Sequence, residues 1–240
     1  MRSFLLTLLP SLISAHGIIT TPAPRAVGPA LISACGTGVA ALITADNTSH
    51  VEGLPEAYAS SPPAPSYNHS APACNLWLCK GLQFADNTAN VQKYVAGDVV
   101  SVKIWLRIPH AGTANVSVVD TRTNEVIGEE LKYWDDYAVG PLSGDVPVDQ
   151  TEFSVTIPGG LEERCGRAGD CVSIPTSVYS TESASVLAHG GLGLDRIGVL
   201  MIPSQVLQWW WYGTSAKQTY ESCVDFTVAK SVRRNRFWKV

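Results

Sequence analysis

From Val99 to Ile108 apolar and polar residues alternate: Val100, Val102, Ile104, Leu106 and Ile108 fall on one face, Ser101, Lys103, Trp105 and Arg107 on the other. That is the period of a half-buried β-strand. Gly97-Asp98 supplies a turn before it and Pro109 a stop. Shorter runs predict further strands at Val116–Val119, within TRTNEVIGEEL after a turn, at Phe153–Ile157, at Val206–Tyr212 and at Cys223–Val228. No window of helical period reaches the usual length. The pattern predicts an all-β immunoglobulin/fibronectin-III-like β-sandwich. In the Trp209-Trp210-Trp211 run, alternation should bury at least one indole and turn one outward. The stretch from Thr20 to Tyr94 is rich in Pro, Ala, Ser and Asn. It reads as long, disulfide-clipped N-terminal loops over one end of the sandwich, and loops of that length are uncommon unless functional.

Composition sharpens this. Of 240 residues, 45% are apolar and 16% charged, which suits one folded domain rather than a disordered chain. A net charge of -4 argues against a nucleic-acid partner. Met1–Ala15 carries Arg2, an apolar run through Ile13 and then Ser14-Ala15. The run is shorter than the roughly 20 residues of a bilayer span and reads as a signal peptide over 1–15. The expectation is a secreted, extracellular monomer without a membrane anchor. Six cysteines agree with an oxidising compartment. The short loops favour Cys74–Cys79 and Cys165–Cys171, leaving Cys35–Cys223 as a long staple, with other pairings open. Asn47, Asn68 and Asn115 lie in glycosylation sequons.

Cleavage after Ala15 makes His16 the first residue. An N-terminal histidine offers an α-amine, with a reference pKa of about 7.7–8.0, and an imidazole as ligands from one residue. One more imidazole completes a planar nitrogen set suited to copper, with positions left open. The run HGIITTPAPR, with Pro22 six and Arg25 nine places after His16, resembles the start of lytic polysaccharide monooxygenases of the chitin-binding type-4 group. Trp105-Leu106-Arg107-Ile108-Pro109-His110 is similar to the segment that delivers their second copper histidine. Gln218-Thr219-Tyr220-Glu221-Ser222-Cys223 resembles the Gln-x-Tyr-x-x-Cys signature of the fungal cellulose-active relatives. The resemblance spans 16–228. It implies a histidine brace in which His16 and His110 bind one copper ion, Tyr220 lies axial, and Gln218 stands beside the open position, with Gln218 and Tyr220 as the catalytic residues. It further implies oxidative cleavage of chitin or cellulose, using O2 or H2O2 and an external electron donor. A second histidine, which those relatives carry upstream of the Gln, has no counterpart in the Trp209–Trp211 run.

Tyr58, Tyr67, Trp134 and Tyr137 are candidates for stacking on sugar rings. His50, His69 and His189 read as solvated loop residues. Residues 173–205 interrupt the pattern between Cys171-Val172 and the aromatic strand, and read as translated intron or as a lineage-specific loop. The tail 229–240 is basic. Two other functions compete with the monooxygenase: a non-catalytic histidine-brace protein for copper acquisition, and a metal-free carbohydrate-binding module.

Overall fold

The computed structural model describes residues 15–63, 74–140, 146–161 and 205–229. Tyr67, Asn68, His69, His189, the Cys165–Cys171 pairing and nearly all of 1–15, 173–205 and 229–240 lie outside them. Among the described residues no helix is long and apolar enough to cross a membrane.

Two sheets face each other. The smaller holds β1 (His16–Thr21), β3 (Val99–Ile108) and β7 (Glu152–Thr156) in the order β1-β3-β7. The larger runs from β2 (Gln92–Val95) through β9 (Gln218–Ala229) and β8 (Gln205–Gly213) to β4 (Gly112–Asp120). There β5 (Glu125–Val126) and β6 (Lys132–Tyr137) both pair with β4. One core joins the sheets: Ile19, Val100, Val102, Ile104 and Val155 meet Val116, Val118, Leu207, Trp209, Trp211, Tyr220 and Phe226. The sandwich expected from the strand pattern is therefore present. Trp209 and Trp211 are fully buried while Trp210 between them is on the outer face, as a period of two requires. Truncating either buried indole to Ala would cost about 3–5 kcal/mol.

The N-terminal region departs from the expected loops. It folds into α1 (Pro29–Ala45) and α2 (Leu54–Ser60). Leu31, Cys35, Val39 and Ile43, four residues apart, form a buried stripe with Val51 and Leu54 in a second core. Its small residues and glycines hid that stripe from a hydropathy reading. Gly36, at φ 85°, breaks α1 in two; a Cβ there would stand 2.1 Å from the Ser61 carbonyl oxygen, so only glycine fits. Asp86 caps α1 from a distant loop, accepting from the N–H groups of Ala30 and Leu31 at 2.8 and 2.9 Å.

The disulfides correct the economical pairing: Cys35 bonds Cys74 and Cys79 bonds Cys223. Cys35 faces the 74–82 loop from α1, so that loop is stapled to the helices by one end and to β9 by the other. Five-residue proximity in sequence lost to two layers that need joining. Arg25 adds a third tie: its Nε and Nη2 donate to the Asp225 carboxylate at 2.8 and 2.7 Å, and Nη1 to the Leu82 carbonyl at 2.8 Å.

Candidate metal centre

Strand pairing collects four of the sequence-selected residues at one end of the sandwich. His16 opens β1 opposite Ile108, and His110 follows two residues later, just past the end of β3. Gly112 starts β4 opposite Gly213, and Gly213 pairs with Gln218 across the β8–β9 turn. A Cβ placed on Gly213 would lie 3.7 Å from His110 Cβ and 3.8 Å from the Gln218 carbonyl oxygen.

The His16 imidazole is anchored through Nε2, 3.0 Å from Asp46 Oδ2. The Arg107 guanidinium also donates to that carboxylate oxygen at 2.8 Å. Burial alone would raise the Asp46 carboxyl. The Thr48 hydroxyl and backbone N–H that donate to it, with His16 and Arg107 alongside, outweigh this and hold it below its ordinary value. With Nε2 engaged, Nδ1 is the ring nitrogen close enough to chelate with the residue's own backbone nitrogen. Gly17 fixes the strand behind the ring, donating its N–H to the Thr48 carbonyl at 3.0 Å. A Cβ on Gly17 would lie 2.9 Å from the rim of Trp209 and 3.0 Å from a Leu106 methyl, which explains glycine after the histidine.

His110 Nδ1 is buried without a hydrogen-bond partner among the described residues. Such an orphan nitrogen is costly unless something occupies it. Tyr220 is fully buried and stacks on Trp211 at 4.4 Å; its hydroxyl donates to Gln218 Oε1 at 2.7 Å. The Ala15 N–H donates to the same oxygen at 3.4 Å, so Ala15, itself buried, packs against Gln218.

Sequence reasoning passed over four neighbours. His50 stands edge-on to Tyr220, ring centroids 6.3 Å apart, and its Nδ1 lies 3.2 Å from Glu52 Oε2, outside hydrogen-bond geometry. Glu52 accepts the Thr219 N–H through both oxygens, at 2.8 and 3.0 Å. Lys80, 2% exposed, donates Nζ to the carbonyls of Asn47 and Ser49, and its N–H to Glu221 Oε2 at 3.3 Å. Burial lowers Lys80 to about 8 despite Glu221 and Asp46, and raises Glu221 to about 7 despite Lys80. Asp46, the fourth, had one local signal: its carboxylate accepts from Thr48 two residues on, an Asx turn. The other three reach the site from loops with no pattern of their own.

The expected sugar-stacking aromatics fare less well. Tyr137 is fully buried, its hydroxyl bonded to the Gln150 carbonyl at 2.9 Å. Trp134 is half-buried against Tyr137 and Phe153, at 5.2 and 5.0 Å. Both anchor β6 to the core, because the inward face of that strand covers the sandwich. Tyr58 on α2 is 36% exposed, and Trp105, 51% exposed on β3, was missed. Asn47 is exposed and Asn115 half-buried.

Among the described residues no three His, Cys, Asp or Glu side chains converge to hold a metal. A chelate of two imidazoles and one chain-terminal amine needs only two side chains. His110 Nδ1 without a partner, and His16 held by the nitrogen remote from its own backbone, fit that donor set.

No family model matches the chain, and no curated protein does. Solved structures do. A chitin-binding domain from Burkholderia pseudomallei is 11% identical with a TM-score of 0.35, over 89% of this chain and 100% of that one. A cellulose-active lytic polysaccharide monooxygenase in complex with copper is 14% identical at 0.36, over 88% and 98%. A Bacillus amyloliquefaciens CBM33 in complex with Cu(I) is 11% identical at 0.34, over 89% and 99%. Scores this low settle neither family nor activity.

Proposed function

We propose that the protein is a secreted, copper-dependent lytic polysaccharide monooxygenase that cleaves chitin or cellulose oxidatively. The reading rests on one observation: His16, His110 and the Gln218–Tyr220 pair meet at one end of the sandwich, with His16 held through Nε2 by Asp46. Removal of 1–15 by a signal peptidase would free the His16 α-amine and take Ala15 away from Gln218.

His16, through its α-amine and Nδ1, and His110 would hold one copper ion, with the Tyr220 ring beside them. When bound and reduced by an external donor, copper supplies activation of O2 or H2O2 toward a sugar C–H bond. The chain does the rest. Asp46 holds the His16 ring in one tautomer and orientation, the usual role of a carboxylate behind a ligating histidine. Tyr220, clamped between Trp211 and Gln218, crowds one side of the centre and excludes water. By accepting from Tyr220, Gln218 Oε1 sets the amide's orientation and leaves Nε2 as its donor end. His50, edge-on to Tyr220, limits the tilt of that ring as a positioning residue.

The test uses purified protein beginning at His16. One tight copper equivalent is expected, lost when Ala15 is restored ahead of His16 or in His110→Ala. Oxidised oligosaccharides should appear from chitin or cellulose with ascorbate. Copper binding without products across a broad panel would favour copper handling, and no copper binding would leave a carbohydrate-binding module.

A further inference from the structure

Asn115 sits mid-strand on β4, on the outer face of the large sheet. Strand register places it directly opposite Tyr133 of β6 on one side and Trp210 of β8 on the other. Tyr133 is 49% exposed and Trp210 half-buried. Tyr212, the next outward residue of β8, lies nearly parallel to Trp210, with ring centroids 6.2 Å apart and 16° between planes. A polar side chain is thus flanked by an aromatic cradle that faces solvent and serves no core. The Asn115 amide is already oriented: Nδ2 donates to Glu130 Oε1 at 3.1 Å, and Oδ1 accepts from the Ser117 hydroxyl at 3.4 Å. Asn115-Val116-Ser117 is also a sequon.

We infer that Asn115 carries an N-linked glycan whose first N-acetylglucosamine packs on Trp210, Tyr212 and Tyr133, so that the sugar is part of the folded sheet. In the covalent step Asn115 Nδ2 attacks the anomeric carbon of an oligosaccharide carried on a lipid pyrophosphate. The bond from that carbon to pyrophosphate oxygen breaks, lipid pyrophosphate leaves, and one amide proton passes to base. The second amide proton remains to hold Glu130. A pyranose ring presents axial C–H groups of slight positive charge, and these match the negative face of an indole or phenol ring. Transfer precedes folding, so the strand position of Asn115 is no obstacle; the sheet then closes with the sugar beside its aromatic neighbours. Asn47 offers a contrast: its side chain is exposed on a loop that Lys80 holds through the backbone, with no strand partner beside it.

The chain is secreted from a glycosylating eukaryotic host and Asn115 occupancy read by peptide mass spectrometry; near-complete occupancy is expected. Ser117→Ala, which removes the sequon, should lower Tm by roughly 2–4 °C, whereas trimming to a single N-acetylglucosamine should keep it. The same pair made without glycans in a bacterial host should differ by less than about 1 °C. In Trp210→Leu, or in the surface variant Tyr133→Ala, the cost of Ser117→Ala should fall by at least half. A secreted chain with Asn115 bare overturns the proposal. So does an equal Tm loss in the presence and absence of the aromatic partners.

Discussion

Lys80 is the residue through which stability and site geometry are most directly joined. Replacing it by Met keeps most of the stem's volume and removes the ammonium. Two charge-assisted bonds to the Asn47 and Ser49 carbonyls disappear, each worth about 1.5–3 kcal/mol. Glu221 is left buried with only the backbone N–H donors of Lys80 and Cys79. The nearby positive charge that favours the ionised Glu221 is also lost, a loss Glu221 limits by taking up a proton. The two bonds together amount to about 3–6 kcal/mol, and at roughly 2–4 °C per kcal/mol for a chain of this size Tm should fall by about 6–24 °C. The pH profile carries the signature. Glu221, raised to about 7 from 4.5, makes stability fall as pH rises between those values, because the folded state there holds a proton the unfolded state has lost. Lys80, lowered to about 8 from 10.5, makes stability rise between those values, because there only the unfolded state keeps the proton. The native protein should therefore be least stable near pH 7–8, with each limb worth up to about 3 kcal/mol. Urea unfolding followed by circular dichroism from pH 4 to 10 measures both. Lys80→Met should flatten the alkaline limb and Glu221→Gln the acid one. A Lys80→Met variant within 1 kcal/mol of the native protein, or one that keeps the alkaline limb, would refute the reasoning. The same variant releases the 46–49 loop that carries Asp46, so copper binding should weaken even where the fold survives.

Three other predictions follow from named contacts. Asp46→Asn keeps the shape but loses the charge behind His16, and should weaken copper binding about 10–100-fold by titration calorimetry, with little change in Tm. Gly17→Ala drives a methyl into Trp209 and Leu106; overpacking of this kind costs about 1–3 kcal/mol, and the Cu(II) spectrum of the mature protein should change as His16 shifts. Deleting 173–205 puts Val172 next to Val206, in place of Gln205, whose two amide atoms are buried at the start of β8 without a partner among the described residues. If the segment is translated intron, the shortened chain should unfold at higher urea concentration, since each orphan polar group costs about 1–3 kcal/mol; a lower midpoint would mark it as a working part of the fold.

Local pattern was enough for the sandwich. The alternation in β3 reappears as burial of Val100, Val102 and Ile104, and the triple-tryptophan run divides between core and surface as its period requires. Strand periodicity survives in sequence because each residue answers to one face. His16, His110, Gln218 and Tyr220 were singled out by motif and are proposed as the site. Tertiary structure alone decided what surrounds them. The stripe of α1 is interrupted by a glycine that exists for a contact with Ser61, and a contact across the chain leaves no local period. Cysteine spacing favoured a five-residue loop, whereas the fold joined two layers through it. Asp46, His50, Glu52 and Lys80 gain their meaning from partners that are 30 to 170 positions away or from backbone carbonyls, which carry no side-chain signature. Tyr137, by contrast, looked like a surface aromatic until β6 turned its ring inward, because a one-residue choice of face is set by pairing with β4 and not by composition.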